Sequence, residues 1–228
     1  MIVQWVAPDD GGSPITHYTV EIRQADSVTF STELTQCDGS DPTIRDNTEC
    51  TIAVTTLQGV SGAPFSLDWG TDVHAKVTAW NVYGNYGASD IGNGAVITTF
   101  PDPPISFVEY YPDRDPTTIG FTWSQAAFNG GSTIEDYRIL YRIVDETNNG
   151  LRVAIDEGRQ FEVLVSGLLS ARYTATELVT GAVYEFKVQS RNSYDYSADS
   201  ASIIELIAFK PEQPAAPVTF RVTNQMTI

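Results

Sequence analysis

Apolar and polar residues alternate with period two through most of this chain, the pattern expected of half-buried β-strands. Tyr18, Val20 and Ile22 form one apolar face, opposite His17, Thr19, Glu21 and Arg23. The same alternation recurs in Val73, Ala75, Val77 and Ala79, in Tyr137, Ile139, Tyr141 and Ile143, and in Tyr184, Phe186 and Val188. Turn-forming runs "DDGG", "NGG" and "NNG" punctuate these strands. No long amphipathic helix is legible. The nearest candidate, "LLSARYTATEL" over 168–178, is rich in Tyr and Thr and reads as strand plus turn.

The strands fall into an internal repeat. "VQWVAPDDGGSPITHYTVEIR" (3–23) is answered by "FTWSQAAFNGGSTIEDYRILYR" (121–142). Trp5 matches Trp123, Gly11 and Gly12 match Gly130 and Gly131, Ile15 matches Ile134, Tyr18 matches Tyr137, and Arg23 matches Arg142. Further on, Leu67, Gly70, Val77 and Asn81 fall on Leu178, Gly181, Val188 and Asn192. Proline-rich joints, "FPDPP" and "KPEQPAAP", recur at close to the length of the repeat.

This combination resembles the fibronectin type III domain. Its parts are a Trp in the second strand, a Gly-Gly loop, Tyr-x-Val/Ile in the third strand, Leu-x-x-Gly, then Tyr-x-Phe-x-Val and an Asn. The resemblance implies an all-β chain of tandem immunoglobulin-like, seven-strand β-sandwiches. It places one module lacking its first strand over 1–100 and a complete module over 101–210. Residues 211–228 become a linker and the first strand, "VTFRVTNQMTI", of a third module. Trp5 then needs a covering strand that precedes Met1 or comes from a neighbouring chain. One position departs from the family pattern: its tyrosine corner falls on Tyr184 in the second copy but on Val73 in the first.

Composition narrows the function classes. The 228 residues are 42% hydrophobic and 18% charged, with a net charge of −16 from 29 acidic and 13 basic side chains. Both repeats are acidic, which repels phosphate backbones and disfavours nucleic-acid partners. No stretch is apolar for long enough to span a membrane. Cys37 and Cys50 make neither a zinc site nor a CxxC motif. A local disulfide closing this loop is the simplest reading, against a pair of free thiols, and points to an oxidising compartment. The loop it closes is an elaboration that the second copy lacks, similar to fibronectin III repeats of some protist surface proteins.

Candidate chemistry is sparse. No nucleophile elbow, phosphate loop or HExxH motif occurs, so catalysis and cofactors are not expected. His17 and His74 occupy outward strand positions and read as surface filler. Asp38, Asp41, Asp46 and Glu49 could gather calcium, as could Asp113 with Asp115, but none follows EF-hand spacing and a solvated loop is the favoured reading. There is no Asn-x-Ser/Thr sequon and no Arg-Gly-Asp. The best interface candidates are aromatic: Trp80 on the outer face or the strand end, Tyr83 and Tyr86 in the loop after it, and Tyr194 and Tyr196 in the matching loop of the second copy.

These readings point to a structural or adhesive segment of a long extracellular or cell-surface protein. Its partners would be neighbouring modules and other copies in a filament or fibre. A ligand-binding receptor ectodomain is the alternative, and a spacer beside a secreted enzyme or an intracellular muscle-type array are further ones.

Overall fold

The computed structural model describes residues 1–59, 64–148, 151–154, 160–211 and 213–219. The first half opens with strand β1 (Ile2–Gln4), followed by β2 (His17–Arg23) and β3 (Phe30–Thr32). A short helix α1 (Pro42–Asn47) precedes β4 (Glu49–Thr51), and α2 (Val54–Leu57) leads to β5 (Asp72–Trp80) and β6 (Gly92–Val96). β1 pairs with β4 in one sheet, and β3-β2-β5-β6 form the other. All the pairings are antiparallel.

The second half contains β7 (Ile105–Glu109), a 3-10 turn at Tyr111–Asp113, β8 (Ile119–Ser124), β9 (Asp136–Asn148) and β10 (Leu151–Ala154). It continues with β11 (Glu162–Leu168), β12 (Arg172–Ala175), β13 (Val183–Arg191) and β14 (Ile203–Leu206). Its sheets are β12-β8-β7 and β10-β9-β13-β14, with β11 also on β9. Register carries the repeat between the halves. Gln4 faces Glu49 and Val3 faces Cys50 in the first half, as Thr122 faces Arg172 and Phe121 faces Tyr173 in the second.

The period-two faces become two cores. Val20, Ile22, Ile52, Leu57, Phe65 and Ile97 anchor the first, and Ile119, Phe121, Ile139, Phe186, Val188 and Ile207 the second. Burial of each such side chain contributes roughly 1.5–3 kcal/mol.

The Cys37–Cys50 elaboration is not a simple hairpin. A disulfide joins the two cysteines, both buried in the first core. The chain between them folds into α1, because Asp41 caps it by accepting from the Thr43 and Ile44 amides and Pro42 stands at its first position. Six residues are too few for helical periodicity to show in sequence. The loop also covers β2 beyond the end of β3, where Tyr18 N–H donates to Gly39 O at 3.0 Å.

The tyrosine corner is built in the second sandwich, where the Val179 amide donates to the Tyr184 hydroxyl at 3.0 Å. At the Val73 end of the first, backbone bonds hold the chain: Gly70 N–H to Ile97 O and Ile97 N–H to Thr71 O. Tyr184→Phe is expected to cost the second sandwich about 1 kcal/mol, one buried hydrogen bond. Denaturant titration checks this, and an unchanged midpoint would show that the corner contributes nothing.

Most of the strand read over 218–228 lies outside the described residues. Among the described residues no helix is long and apolar enough to cross a membrane.

Candidate interaction surface

The linker between the sandwiches is seated on the second one. Thr99 N–H donates to Gly130 O at 2.8 Å, and Asp102 N–H to Phe128 O at 3.1 Å. Asn192 is the clasp: its Nδ2 donates to Thr99 O (2.9 Å) and to Asn129 O (2.8 Å). Its Oδ1 accepts the Tyr194 and Asp195 amides. A buried amide satisfied on both sides fixes local geometry, because any displacement leaves a polar group unpaired.

Aromatic rings close the same joint. Phe100 meets Tyr194 edge-on with centroids 4.8 Å apart, and Trp69 meets Phe128 at 6.2 Å. Gly130 and Gly131 sit at φ 74° and 83° with no room for a side chain. A Cβ on Gly130 would lie 2.2 Å from Thr99 O, and one on Gly131 2.6 Å from Gly70 N.

The first sandwich carries the same parts at its corresponding end, and among the described residues no linker is seated on them. Asn81 Nδ2 donates to Asp10 O at 3.0 Å and its Oδ1 accepts the Tyr83 amide at 2.9 Å, matching the Asn192 contacts within the second sandwich. Gly11 and Gly12 repeat the positive φ, yet a Cβ on either would meet nothing within 4 Å. Between the two loops lies an open cavity of about 620 Å³, lined by Trp5, Tyr18, Val77, Trp80, Tyr83 and Tyr86 among others. Tyr83 and Tyr86 are almost wholly exposed, 90% and 108%. Exposed rings beside a concave apolar floor are the usual makings of a protein contact.

The aromatic candidates therefore divide. Trp80 lies on the outer face, stacked on His17 at 5.6 Å and donating Nε1–H to Thr19 Oγ1 at 3.0 Å. With Tyr83 and Tyr86 it lines the open cavity. Tyr194 belongs to the internal joint. Tyr196 is held within its own sandwich, with Arg138 3.7 Å and Arg191 5.6 Å from its ring centroid. Asp136 pairs with Arg191 and raises the guanidinium further above its ordinary value.

Most of the acidic candidates are engaged in local hydrogen bonds or ion pairs. Asp38 accepts from the Ser40 amide and hydroxyl, which hold its carboxyl below the usual range. Asp41 caps α1, and Asp46 accepts from Arg45 Nε at 2.8 Å. Glu49 is exposed on β4. Asp113 accepts from Thr174 and Arg172, again lowering its carboxyl, and Asp115 accepts from Thr117. His74 lies against Arg23. Among the described residues no three metal-ligating side chains converge.

Sequence reasoning missed Trp69, Phe128 and the clasp role of Asn192. The signal available was the co-occurrence of Gly-Gly and Asn in both repeats, which marks two loops at one end of each sandwich.

Two antiparallel β-sandwiches in tandem, joined by a short seated linker, define a modular protein of the immunoglobulin-like class. A family model for the fibronectin type III domain matches residues 103–204, which cover most of the second sandwich. The first repeats its strand order without a described leading strand. A solved run of titin domains is similar over 91% of this chain and 66% of that one, at 14% identity and a TM-score of 0.55. The titin kinase with its flanking domains matches 45% of this chain at 22% identity and a TM-score of 0.36. This chain spans only 16% of that protein. A human fibronectin type III domain solved in solution matches 56% of this chain and 96% of its own, at 18% identity and a TM-score of 0.41. The likeness to the titin run shows the fold, antiparallel β-sandwiches in tandem.

Proposed function

We propose that this chain is a structural, non-catalytic segment of an extracellular or cell-surface repeat protein, associating end to end within a filament or fibre. One observation carries the reading. The linker between the sandwiches is clasped by Asn192, Gly130 and Gly131 of the second, and the first carries the same Gly-Gly and Asn parts at its corresponding end. The modules are taken as 1–100 and 101–210, with a further linker and strand beginning at 211. The seated, proline-rich linker limits bending and makes the pair a spacer. The disulfide supports an oxidising compartment over the cytosolic setting in which titin-type arrays work.

Replacing Trp80, Tyr83 and Tyr86 together by Ala is expected to weaken self-association while leaving both sandwiches folded. Sedimentation and circular dichroism read the two outcomes. The cavity beside Trp80 favours one second reading, a receptor ectodomain that binds a soluble ligand there. Loss of one ligand with normal assembly in the triple variant would replace the first reading by the second.

A further inference from the structure

Three Asn-Gly pairs occur in the chain, at 93–94, 129–130 and 149–150, the last of them outside the described residues. Asparagine is a thermolabile side chain. A following glycine makes it most so, because no Cβ hinders the next backbone nitrogen from reaching the side-chain carbonyl carbon. The folded chain treats the first two pairs in opposite ways.

Asn129 and Gly130 are held. Asn129 Oδ1 accepts the Gly131 amide at 3.0 Å, and its backbone carbonyl accepts Asn192 Nδ2 at 2.8 Å. Gly130 is buried, and its carbonyl accepts Thr99 N–H at 2.8 Å. Turning the Gly130 nitrogen onto Asn129 Cγ would disrupt these contacts.

Asn93 and Gly94 lie in a different setting. Val73 stands opposite Ala95 and Ala75 opposite Gly92, so Asn93 and Gly94 together face His74 alone. This is a β-bulge, where the ladder is locally disrupted. Gly94 takes φ 121°, and a Cβ on it would meet nothing within 4 Å. Asn93 is exposed, and among the described residues its side chain makes no hydrogen bond. The outward position is a property of the sandwich. Its match in the second copy is Ile204, opposite Glu185, and Ile204 is 60% exposed with β7 in place.

We infer that Asn93 is a site of spontaneous deamidation and isoaspartate formation, with the Gly94 backbone nitrogen as the attacking group. That nitrogen gives up its proton to solvent and bonds to Asn93 Cγ. The bond from Cγ to Nδ2 breaks, Nδ2 leaves as ammonia, and a succinimide ring remains. Water then opens the ring. Attack at Cγ gives aspartate, and attack at the original backbone carbonyl gives isoaspartate, with the chain now running through the side chain. One water is consumed for each ammonia released, and no oxidant or cofactor enters.

Either product places a new carboxylate across the bulge from His74, which lies against Arg23. β6 is the edge of its sheet among the described residues, and added charge on an edge opposes pairing with another strand. The change is slow and one-way, a mark of the age of the molecule. It holds whatever the chain assembles with.

Peptide mapping by mass spectrometry of the folded 228-residue chain, sampled through a long incubation at neutral pH, tests this. Aspartate and isoaspartate are expected to accumulate at Asn93 at least about tenfold faster than at Asn129, where two hydrogen bonds must break first. In denaturant the two rates are expected to converge, since each is then a free Asn-Gly pair. Asn93→Gln, which keeps an amide but closes the ring far less readily, is expected to remove the signal from β6. Equal rates at Asn93 and Asn129 in the folded chain overturn the inference. So does an Asn93 that stays intact when folded and reacts only in denaturant, or a β6 signal that persists in Asn93→Gln.

Discussion

Gly130→Ala is expected to unseat the linker and loosen the two sandwiches from one another. At φ 74° an Ala costs about 1–2 kcal/mol in backbone strain alone. Its Cβ would also lie 2.2 Å from Thr99 O and 2.8 Å from Phe100 O. Both are backbone atoms and cannot rotate away, so the linker must move. That movement breaks the Thr99–Gly130 and Asn192–Thr99 hydrogen bonds, each contributing about 1 kcal/mol.

Gly11→Ala is the matched control. It carries the same kind of strain at φ 65°, with nothing within 4 Å of its Cβ. Small-angle scattering should show a broader distribution of intermodule distances for Gly130→Ala and an unchanged one for Gly11→Ala. If the two variants scatter alike, the joint is not what holds the modules in line.

Reducing the Cys37–Cys50 bond, or replacing both residues by Ala, is expected to destabilise the first sandwich by about 3 kcal/mol. The bridge closes 13 residues of separation, and a loop of that length carries roughly that chain-entropy term. Its location sharpens the expectation. Both sulfurs lie in the core beside Ile52 and Leu57, and Cys50 sits on β4, the strand that pairs β1. Loss of the bridge therefore releases α1 and loosens the smaller sheet together. Denaturation followed by hydrogen exchange should show peptides of 1–59 losing protection at lower denaturant, with those of 160–207 unmoved. Identical midpoints before and after reduction would show the bridge to be energetically idle.

Period-two alternation and the paired Trp, Gly-Gly, Leu-x-x-Gly and Asn positions made the fold readable along the chain. A side-chain period of two has no physical meaning except in a strand with one face buried. The short helix α1 was not readable, since its existence depends on one capping carboxylate and one proline rather than on a repeating pattern. Parity along β5 puts Trp80 on the outer face or at the strand end, and the same reading puts the four tyrosines in loops. It could not separate Tyr83 and Tyr86 from Tyr194 and Tyr196, because loop residues have no periodicity to report their surroundings.

The amino-acid sequence alone determined that this protein is a duplicated β-sandwich and that its net charge is acidic. Those facts follow from local periodicity, composition and internal comparison, none of which needs coordinates. Only the tertiary structure decided what each copy of a shared motif does. Gly130, Gly131 and Asn192 grip a linker, while among the described residues a Cβ on Gly11 or Gly12 would meet nothing and Asn81 bonds only within its own loops. The two sets of residues are nearly identical in sequence. The grip on the linker joins segments distant along the chain, Thr99 with Gly130 and Asn192, and no local pattern encodes such a contact.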